Sequence, residues 1–267
     1  MSFNLKLDNS KILKVIVETI SSIIDETEFL VTPDEFVISA MDPSRICLLK
    51  LSISKENFDG FSVEDESKVG LNLDDLDKIL KRSSSDDSLE LDFKEKSQKI
   101  KIKMQKEGTS SRVRTFSLAL LDIEIEEIPM DNLLSIDYPT NWVIDPDFLV
   151  EAIKDAEIYS EILNIKAEEG EGLVFNSSGQ IGEMEYYLGV EDLIDSEIKD
   201  SSKGAYSLTF LKAILKIASI TEKLEISLKT DHPLKMIFNL LEGGELSYFL
   251  APRVEETEFD EDDMDEF

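Results

Sequence analysis

One plan appears twice along this chain. Residues 10–24 read as a helix, with Ile12, Leu13, Ile16, Val17, Ile20, Ile23 and Ile24 on one broad apolar stripe and Lys11, Lys14 and Glu18 opposite. Ser10 is the expected N-cap. Strand-like runs follow at 28–31, 35–40 and 46–53, broken by Pro33-Asp34 and Asp42-Pro43. A second helix fits 73–82, with Leu73, Leu76 and Leu80 on one face, acids in its first turn and Lys81 and Arg82 in its last. Strands then fit 88–93, 99–104 and 112–120. The second half runs likewise. Asp145 and Pro146 open a third helix that buries Phe148, Leu149, Ala152, Ile153 and Ala156. Strands fit 161–167, 172–177 and 182–189. A polar acidic loop at 191–204 leads to a fourth helix over 209–219 and strands at 223–229, 235–241 and 245–250, the last two joined by Gly243-Gly244. Helix, three strands, helix, three strands, repeated, predicts an α+β protein of two similarly folded domains. Its helices would collect on one side of antiparallel sheets.

Length and composition agree. A chain of 267 residues suits one or two domains. Hydrophobic residues make up 42%, enough for a sizeable core. No apolar run approaches the ~18 residues of a membrane span, and the N-terminal MSFNLKLDNS lacks a secretory apolar stretch. With one cysteine no internal disulfide can form. The expectation is a soluble intracellular protein, cytoplasmic or, from a eukaryotic source, nuclear, with no membrane partner.

Catalytic signatures are scarce. The one histidine, His232, sits in the turn-like TDHP, and the one cysteine, Cys47, lies in the apolar run ICLLKL. A Cys/His zinc cluster is therefore not available within one chain. GxSxG, GxGxxG and GxxxxGK[ST] are all missing. Carboxylates are abundant, but a catalytic metal site needs them to converge from separate elements. Here they lie mostly in loops, in the acidic stretch 121–135 and in the tail 255–267, EETEFDEDDMDEF. No catalytic residue, metal or cofactor is expected. The tail carries nine acids and no base, the composition of a solvated appendage. A sharper reading has it compete with nucleic acid for the basic helices, with Phe259 and Phe267 as apolar anchors.

Charge is the informative feature. The formal net charge is −30, so the molecule as a whole repels nucleic acid. Yet Lys11 and Lys14, then Lys78, Lys81 and Arg82, then Lys154, then Lys212 and Lys216 fall on the outer faces of the four helices. Gathered on one surface, these few cations can still accept a polyanion. The third helix departs from the others, because its Lys154 is flanked by Glu151 and Asp155.

AMDPSR at 40–45 running into ICLLKLSI, LLDIEIEEIP at 120–129, and YFLAPRVEE at 248–256 are specific and collinear, and NLDDLDKILKR at 72–82 adds a fourth segment. Together they resemble the sliding clamps of the proliferating-cell-nuclear-antigen family, more the archaeal than the eukaryotic type, over residues 2–256. The resemblance implies a clamp domain at 1–117, a connector at 118–135, a second clamp domain at 136–254 and an acidic tail at 255–267. It implies a trimeric ring around duplex DNA. That ring would act as a non-enzymatic processivity factor in replication and repair. The alternative is a clamp-like accessory or checkpoint subunit of a heterotrimeric ring.

The same resemblance implies three sites. Lys11, Lys14, Lys78, Lys81, Arg82, Lys154, Lys212 and Lys216 would face the DNA without reading its sequence. Clamp-binding peptides of a DNA polymerase, clamp loader, nuclease and ligase would dock in a groove formed by Met41, Arg45, Ile46, Leu48, Ile128, Pro129, Pro233, Phe249, Ala251 and Pro252. Glu126 stands where many relatives carry an apolar residue, and residues 250–254 are expected to lie extended and pair with a partner's backbone. Subunits would join through edge strands at 112–117, with Arg112, Arg114 and Phe116, and at 182–187, with Glu183, Glu185 and Tyr186, their opposite charges paired across the strands.

Overall fold

A computed structural model describes residues 2–84, 86–106, 112–123, 130–168, 172–241 and 243–253. The first half runs β1 (Ser2–Leu7), α1 (Lys11–Ile20), β2 (Glu26–Val31), β3 (Glu35–Met41), β4 (Cys47–Ser54), β5 (Gly60–Val63), β6 (Ser67–Asn72), α2 (Leu73–Leu80), β7 (Asp87–Lys94), β8 (Lys99–Lys106) and β9 (Val113–Ala119). A short helix, α3 (Met130–Leu134), follows. The second half repeats the order as β10 (Thr140–Ile144), α4 (Pro146–Ala156), β11 (Ile162–Ala167), β12 (Leu173–Gly179), β13 (Gly182–Leu188), β14 (Asp195–Ile198), β15 (Ser202–Ser207), α5 (Leu208–Ala213) with a 3-10 extension Leu215–Ile220, β16 (Thr221–Leu228), β17 (Leu234–Leu240) and β18 (Glu245–Leu250).

Each half therefore holds more strands than the periodicity suggests. The stretch 191–204, expected as a loop, contains β14 and the start of β15. β5 and β6 are their counterparts in the first half. These four strands all lie at sheet edges, in the orders β5-β1-β7-β8-β9, β14-β10-β16-β17-β18-β4-β3-β2-β6 and β13-β12-β11-β15. An edge strand is paired on one side only and needs less apolar alternation, so β5 and β14 read as polar loop. The fourth helix is shorter than expected. After Ala213 the backbone tightens into the 3-10 turn that reaches Ile220.

Helix starts follow local chemistry. Asn72 caps α2 by accepting from the Asp75 amide at 2.9 Å, and Asp145 caps α4 by accepting from Asp147 at 2.9 Å. In α1 the expected cap, Ser10, makes no capping bond. Asn9 Oδ1 accepts from the Lys11 amide at 2.7 Å instead, while Ser10 Oγ donates to the Ser84 carbonyl. The helices lay their apolar stripes on the sheets. Ile12, Leu13, Ile16, Val17 and Ile20 of α1 are buried, as are Leu149, Ala152, Ile153 and Ala156 of α4. Each fully buried Leu, Ile or Val side chain contributes about 1.5–3 kcal/mol.

One junction joins the halves. β18 pairs antiparallel with β4 from Glu245↔Ser52 to Leu250↔Cys47, which makes a single nine-stranded sheet across the boundary. On the helix side α1 packs between α2 and the 3-10 turn, and the turn and α5 pack on α4.

Candidate functional site

The helices bring Lys11, Lys14, Lys81 and Lys216 together where α1 packs between α2 and the 3-10 turn. Lys14 Nζ donates to the Ser83 carbonyl beyond α2 at 3.1 Å, and Lys11 Nζ donates to the Ser219 carbonyl of the other half at 3.3 Å. Glu18 sits between the halves. Its Oε1 is 2.6 Å from Lys216 Nζ and 3.4 Å from Lys81 Nζ. The Lys216 hydrogen bond lowers the Glu18 pKa most, against the opposing effect of partial burial, and Lys81 adds to it. Lys81 also reaches Asp77 Oδ2 at 2.7 Å, and this contact leads the rise in its own pKa. Asp77 Oδ1 is buried with no hydrogen-bond partner among the described residues. Lys78 pairs with Asp75 at 2.9 Å and Lys212 with Glu157 at 2.6 Å. Arg82 is exposed on α2's trailing turn.

Lys154 differs from these. It is exposed and makes no ion pair among the described residues. Of its sequence neighbours, Glu151 is engaged by the Tyr186 hydroxyl, which donates at 3.0 Å. These cations are thus ammonium groups for the most part, and Lys78, Lys81, Lys212 and Lys216 are already balanced by a carboxylate. An incoming phosphate would have to compete with these carboxylates, which favours weak contact over capture.

The second cluster lies at the junction's rim. The AMDPSR segment is held by Asp42, which is buried at 4% exposure. Its carboxylate accepts from the amides of Ser44 (2.9 Å), Ile46 (2.7 Å) and Cys47 (2.6 Å), and its carbonyl accepts from Arg45 at 2.9 Å. Arg45 adopts a left-handed φ of 57°. The sequence marks Asp42-Pro43 as a turn but gives no sign that Asp42 is its organiser. The turn holds Arg45 and Ile46 in solvent, Ile46 at 37% exposure, beside half-buried Met41, Pro233, Ala251 and Pro252.

Leu48 and Phe249, nominated for the same groove, lie underneath it. They face each other across β4 and β18 and are 4% and 2% exposed. Ile128, Pro129 and Glu126 fall outside the described residues, as does the tail 255–267. The chain after β18 is anchored by Ala251 N donating to the Ile46 carbonyl and Arg253 N donating to the Ala205 carbonyl, each at 2.8 Å. Pro252 has no N–H, so this segment has no amide left to give across residues 251–253. The expected backbone pairing is restricted accordingly, because a partner strand there can donate but not accept. Beside it opens a cavity of about 530 Å³ that includes Asn164, Lys166, Lys203, Ala205, Pro252 and Arg253.

The third nominated set occupies two unpaired sheet edges. β9 ends one sheet and β13 another. Phe116 and Tyr186 are half-buried, while Arg112, Glu183 and Glu185 are exposed. Arg114 does not point toward a cross-strand partner. Its guanidinium donates to Asp87 Oδ2 at 2.5 Å and to the Arg82 carbonyl at 2.6 Å. Val113 and Tyr187 are large hydrophobics left 50% and 53% exposed, one on each edge.

Two family models match the chain. The N-terminal domain model of proliferating cell nuclear antigen covers residues 2–128, and the C-terminal domain model covers residues 147–253. A protein from Thermococcus onnurineus named DNA polymerase sliding clamp is 34% identical over 258 residues, 96% of this chain and 100% of that protein. One of the same name from Thermofilum pendens is 33% identical over 245 residues, covering 91% and 95%. Among solved structures, the proliferating cell nuclear antigen (PCNA) of Thermococcus kodakaraensis is similar with TM-score 0.84 at 28% identity, over 94% of this chain and 100% of that one. A complex of PCNA2 with PCNA3 from Sulfolobus tokodaii matches at TM-score 0.84 and 27% identity over the same shares.

Proposed function

Since the chain belongs to the proliferating cell nuclear antigen family and is a DNA sliding clamp, we propose that it works as three copies closed head to tail around duplex DNA. The observation that carries this reading is the junction between β18 and β4. In the repeated plan β9 is the counterpart of β18, and β13 the counterpart of β4. The paired strands inside the chain thus have unpaired counterparts at its two ends. A second copy placed by the same rotation puts β9 against β13 and leaves neither of these two edges open, as a heterologous contact that closes must.

Strand registers carry the correspondence to single residues. Met104 faces Arg114 as Phe238 faces Leu246, and Ile38 faces Leu51 as Phe175 faces Tyr186. Leu246 pairs with Leu51 inside the chain, so Arg114 takes Tyr186 between subunits. Thr115 then takes Glu185, Phe116 takes Met184, and Val113 takes Tyr187. The two exposed hydrophobics cover each other. Apolar contact, rather than the Arg–Glu pairing expected from the sequence, holds this edge, since Arg114 is committed to Asp87.

In the ring the helices face the opening, and Lys11, Lys14, Lys78, Lys81, Arg82, Lys154, Lys212 and Lys216 face phosphates. Lysine contacts of this kind carry no sequence information and exchange quickly. The ring is retained on DNA by closure rather than affinity. It needs no catalytic step. Polymerase, clamp loader, nuclease and ligase are tethered by peptides seated over Ile46, Met41, Pro233 and Pro252, where desolvated apolar anchors dominate binding.

Native mass measurement tests the assembly. A species three times the 30.2 kDa subunit is the expected result. A monomer that assembles only when mixed with paralogues identifies the chain as an accessory subunit of a heterotrimer. A monomer under all of these conditions overturns the ring.

A further inference from the structure

The repeat sets the chain after β18 in the same position as the chain after β9. Asn72 and Ser207 are the N-caps of α2 and α5. Two residues before each cap, a carbonyl on the free edge of β6 or β15 accepts from the departing chain. Gly70 accepts from Leu121 at 2.9 Å, and Ala205 from Arg253 at 2.8 Å. Past Leu121 the chain crosses the face of the β4–β18 junction turned away from the core, on its way to β10. There Leu134 of α3 shares a cavity of about 360 Å³ with Lys50 and Ser52 of β4 and Glu245 and Ser247 of β18. Past Arg253 come the 14 residues 254–267.

The corresponding face of the second half carries a row of directly opposed residues. Lys203 pairs with Lys166, Lys166 with Val174, and Val174 with Tyr187, running from β15 to β13. In the ring Tyr187 meets Val113 of the partner subunit, and each is about half exposed. The row starts cationic. Lys166, Lys203 and Arg253 line the 530 Å³ cavity against one carboxylate, Asp231. Lys166 contacts Glu168, whereas Lys203 and Arg253 make no ion pair among the described residues. Beyond Val113 lies β8, with Lys99, Lys101 and Lys103 on the same face. Glu90 engages Lys103, while Lys99 and Lys101 are exposed and make no ion pair among the described residues. Glu183 and Glu185 flank the row on β13.

We infer that the acidic segment 255–267 is a strap that lies along this row, crosses the subunit boundary and ends on β8 of the partner subunit, as the connector crosses the junction inside the chain. The inference rests on the ring reading above. Length and charge both fit. Arg253 lies one strand spacing outside β15, so Tyr187 of β13 is four spacings away, about 19 Å. Six residues of extended chain, 254–259, span about 20 Å. Phe259 therefore arrives over Tyr187 and the partner subunit's Val113. Glu255, Glu256 and Glu258 precede it, over Arg253, Lys203 and Lys166. Asp260, Glu261, Asp262 and Asp263 follow it, toward Lys99 and Lys101 of the partner subunit. Each acid exchanges like-charged neighbours for a cation, and Phe259 exchanges water for an apolar pair. These contacts are exposed and screened by salt, so the strap supports the boundary without locking it.

The test uses the full chain and zero-length carbodiimide coupling of carboxylates to lysines, on rings assembled from isotopically light and heavy subunits. Tail peptides should be found joined to Lys166 or Lys203 and, in mixed light–heavy products, to Lys99 or Lys101. Deleting 255–267 should raise the concentration at which the trimer dissociates in sedimentation, by roughly 1.5- to 5-fold for each ion pair lost per boundary, the range of an exposed pair. The difference should vanish near about 1 M chloride, where the screening length is ~3 Å. Lys99→Gln with Lys101→Gln should weaken the full-length ring in the same sense and add less to the truncated one. Assembly unchanged by truncation at low salt overturns the strap. So do tail peptides joined only to Lys11 and Lys14 of the helix face, absence of mixed light–heavy products, or an added acidic peptide that couples to Lys99 and Lys101 where the tail does not. Failure of the unsubstituted protein to form a trimer is a separate outcome that overturns the ring itself.

Discussion

Glu18 Oε1 and Lys216 Nζ lie 2.6 Å apart across the boundary between the two halves of the chain. This contact ties α1 to the 3-10 turn on the helix side, as β18 and β4 tie the halves on the sheet side. The junction is therefore held on both faces, one apolar and one ionic. Only the ionic face responds to pH.

That response has a definite sign. The pKa of Glu18 is lowered, first by Lys216 and then by Lys81. A carboxylate depressed on folding adds stability above its unfolded pKa, and the contribution disappears as pH falls through the folded value. Native stability should drop as pH descends below about 4.5, the ordinary glutamate value. Glu18→Gln should remove that part of the pH dependence and cost about 0.3–1 kcal/mol at neutral pH, a solvent-screened amount. Urea titrations at several pH values provide the check. An unchanged acid limb in the variant would mean the pair contributes nothing to folding.

The subunit register can be read with cysteines. Phe116 and Met184 should face each other between copies as Tyr248 and Leu49 do within one. Directly opposed residues in an antiparallel pair have Cα atoms about 4.5–5.5 Å apart, within disulfide reach. Phe116→Cys with Met184→Cys should cross-link rings under mild oxidation into covalent trimers on non-reducing gels. Moving one cysteine to Ser117 or Thr115 should abolish most of the product. Cys47 will not interfere, because burial pushes its thiol up to about 12 and keeps it protonated.

The legible parts of this molecule were those that bury one face of a regular element. The stripe Ile12, Leu13, Ile16, Val17, Ile20 announces α1, and Leu73, Leu76, Leu80 announce α2. β5, β6, β14 and β15 were not legible, because edge strands take part of their stability from a neighbour's backbone and leave little periodicity in the side chains. At the site, the lysines could be named from helix faces. Their partners could not, since Glu18 meets Lys216 only through a fold that brings residues 198 positions apart into contact. Asp42 was hidden for another reason. A buried carboxylate that organises a turn looks in sequence like any Asp-Pro turn residue.

Gly70 marks where the chain leaving the first half meets the edge strand β6 in an antiparallel bridge to Leu121. Leu121 N donates to the Gly70 carbonyl at 2.9 Å, and a Cβ at Gly70 would lie 2.4 Å from the Leu121 carbonyl oxygen. Gly70→Ala must push residues 121–123 off β6. The expected loss is about 1–3 kcal/mol, the range for overpacking a close contact. Faster amide exchange should appear at Leu121, while the core strands of both halves stay protected. Uniform loss of protection would instead indicate that the whole fold depends on this edge bridge.

Asp42 offers the sharpest separation of scaffold from docking surface. Three amides, those of Ser44, Ile46 and Cys47, converge on its buried carboxylate, and replacing it leaves them with nothing to donate to. Charge-assisted bonds of this kind contribute about 1.5–3 kcal/mol each in gross terms, and local relaxation recovers part of the loss. Asp42→Ala should cost about 2–4 kcal/mol, whereas Asp42→Asn, which keeps one acceptor oxygen, should cost less than half of that. The two variants should also differ in docking. With the turn released, Ile46 and Arg45 lose their fixed position beside Pro252, so affinity for a clamp-binding peptide should fall in Asp42→Ala at temperatures where the protein is still folded. Ring assembly, which we assign to β9 and β13, far from this turn in sequence, should be retained. Titration calorimetry with the peptide, alongside native mass, separates the effects: weakened docking with an intact trimer supports the assigned role, and intact docking refutes it.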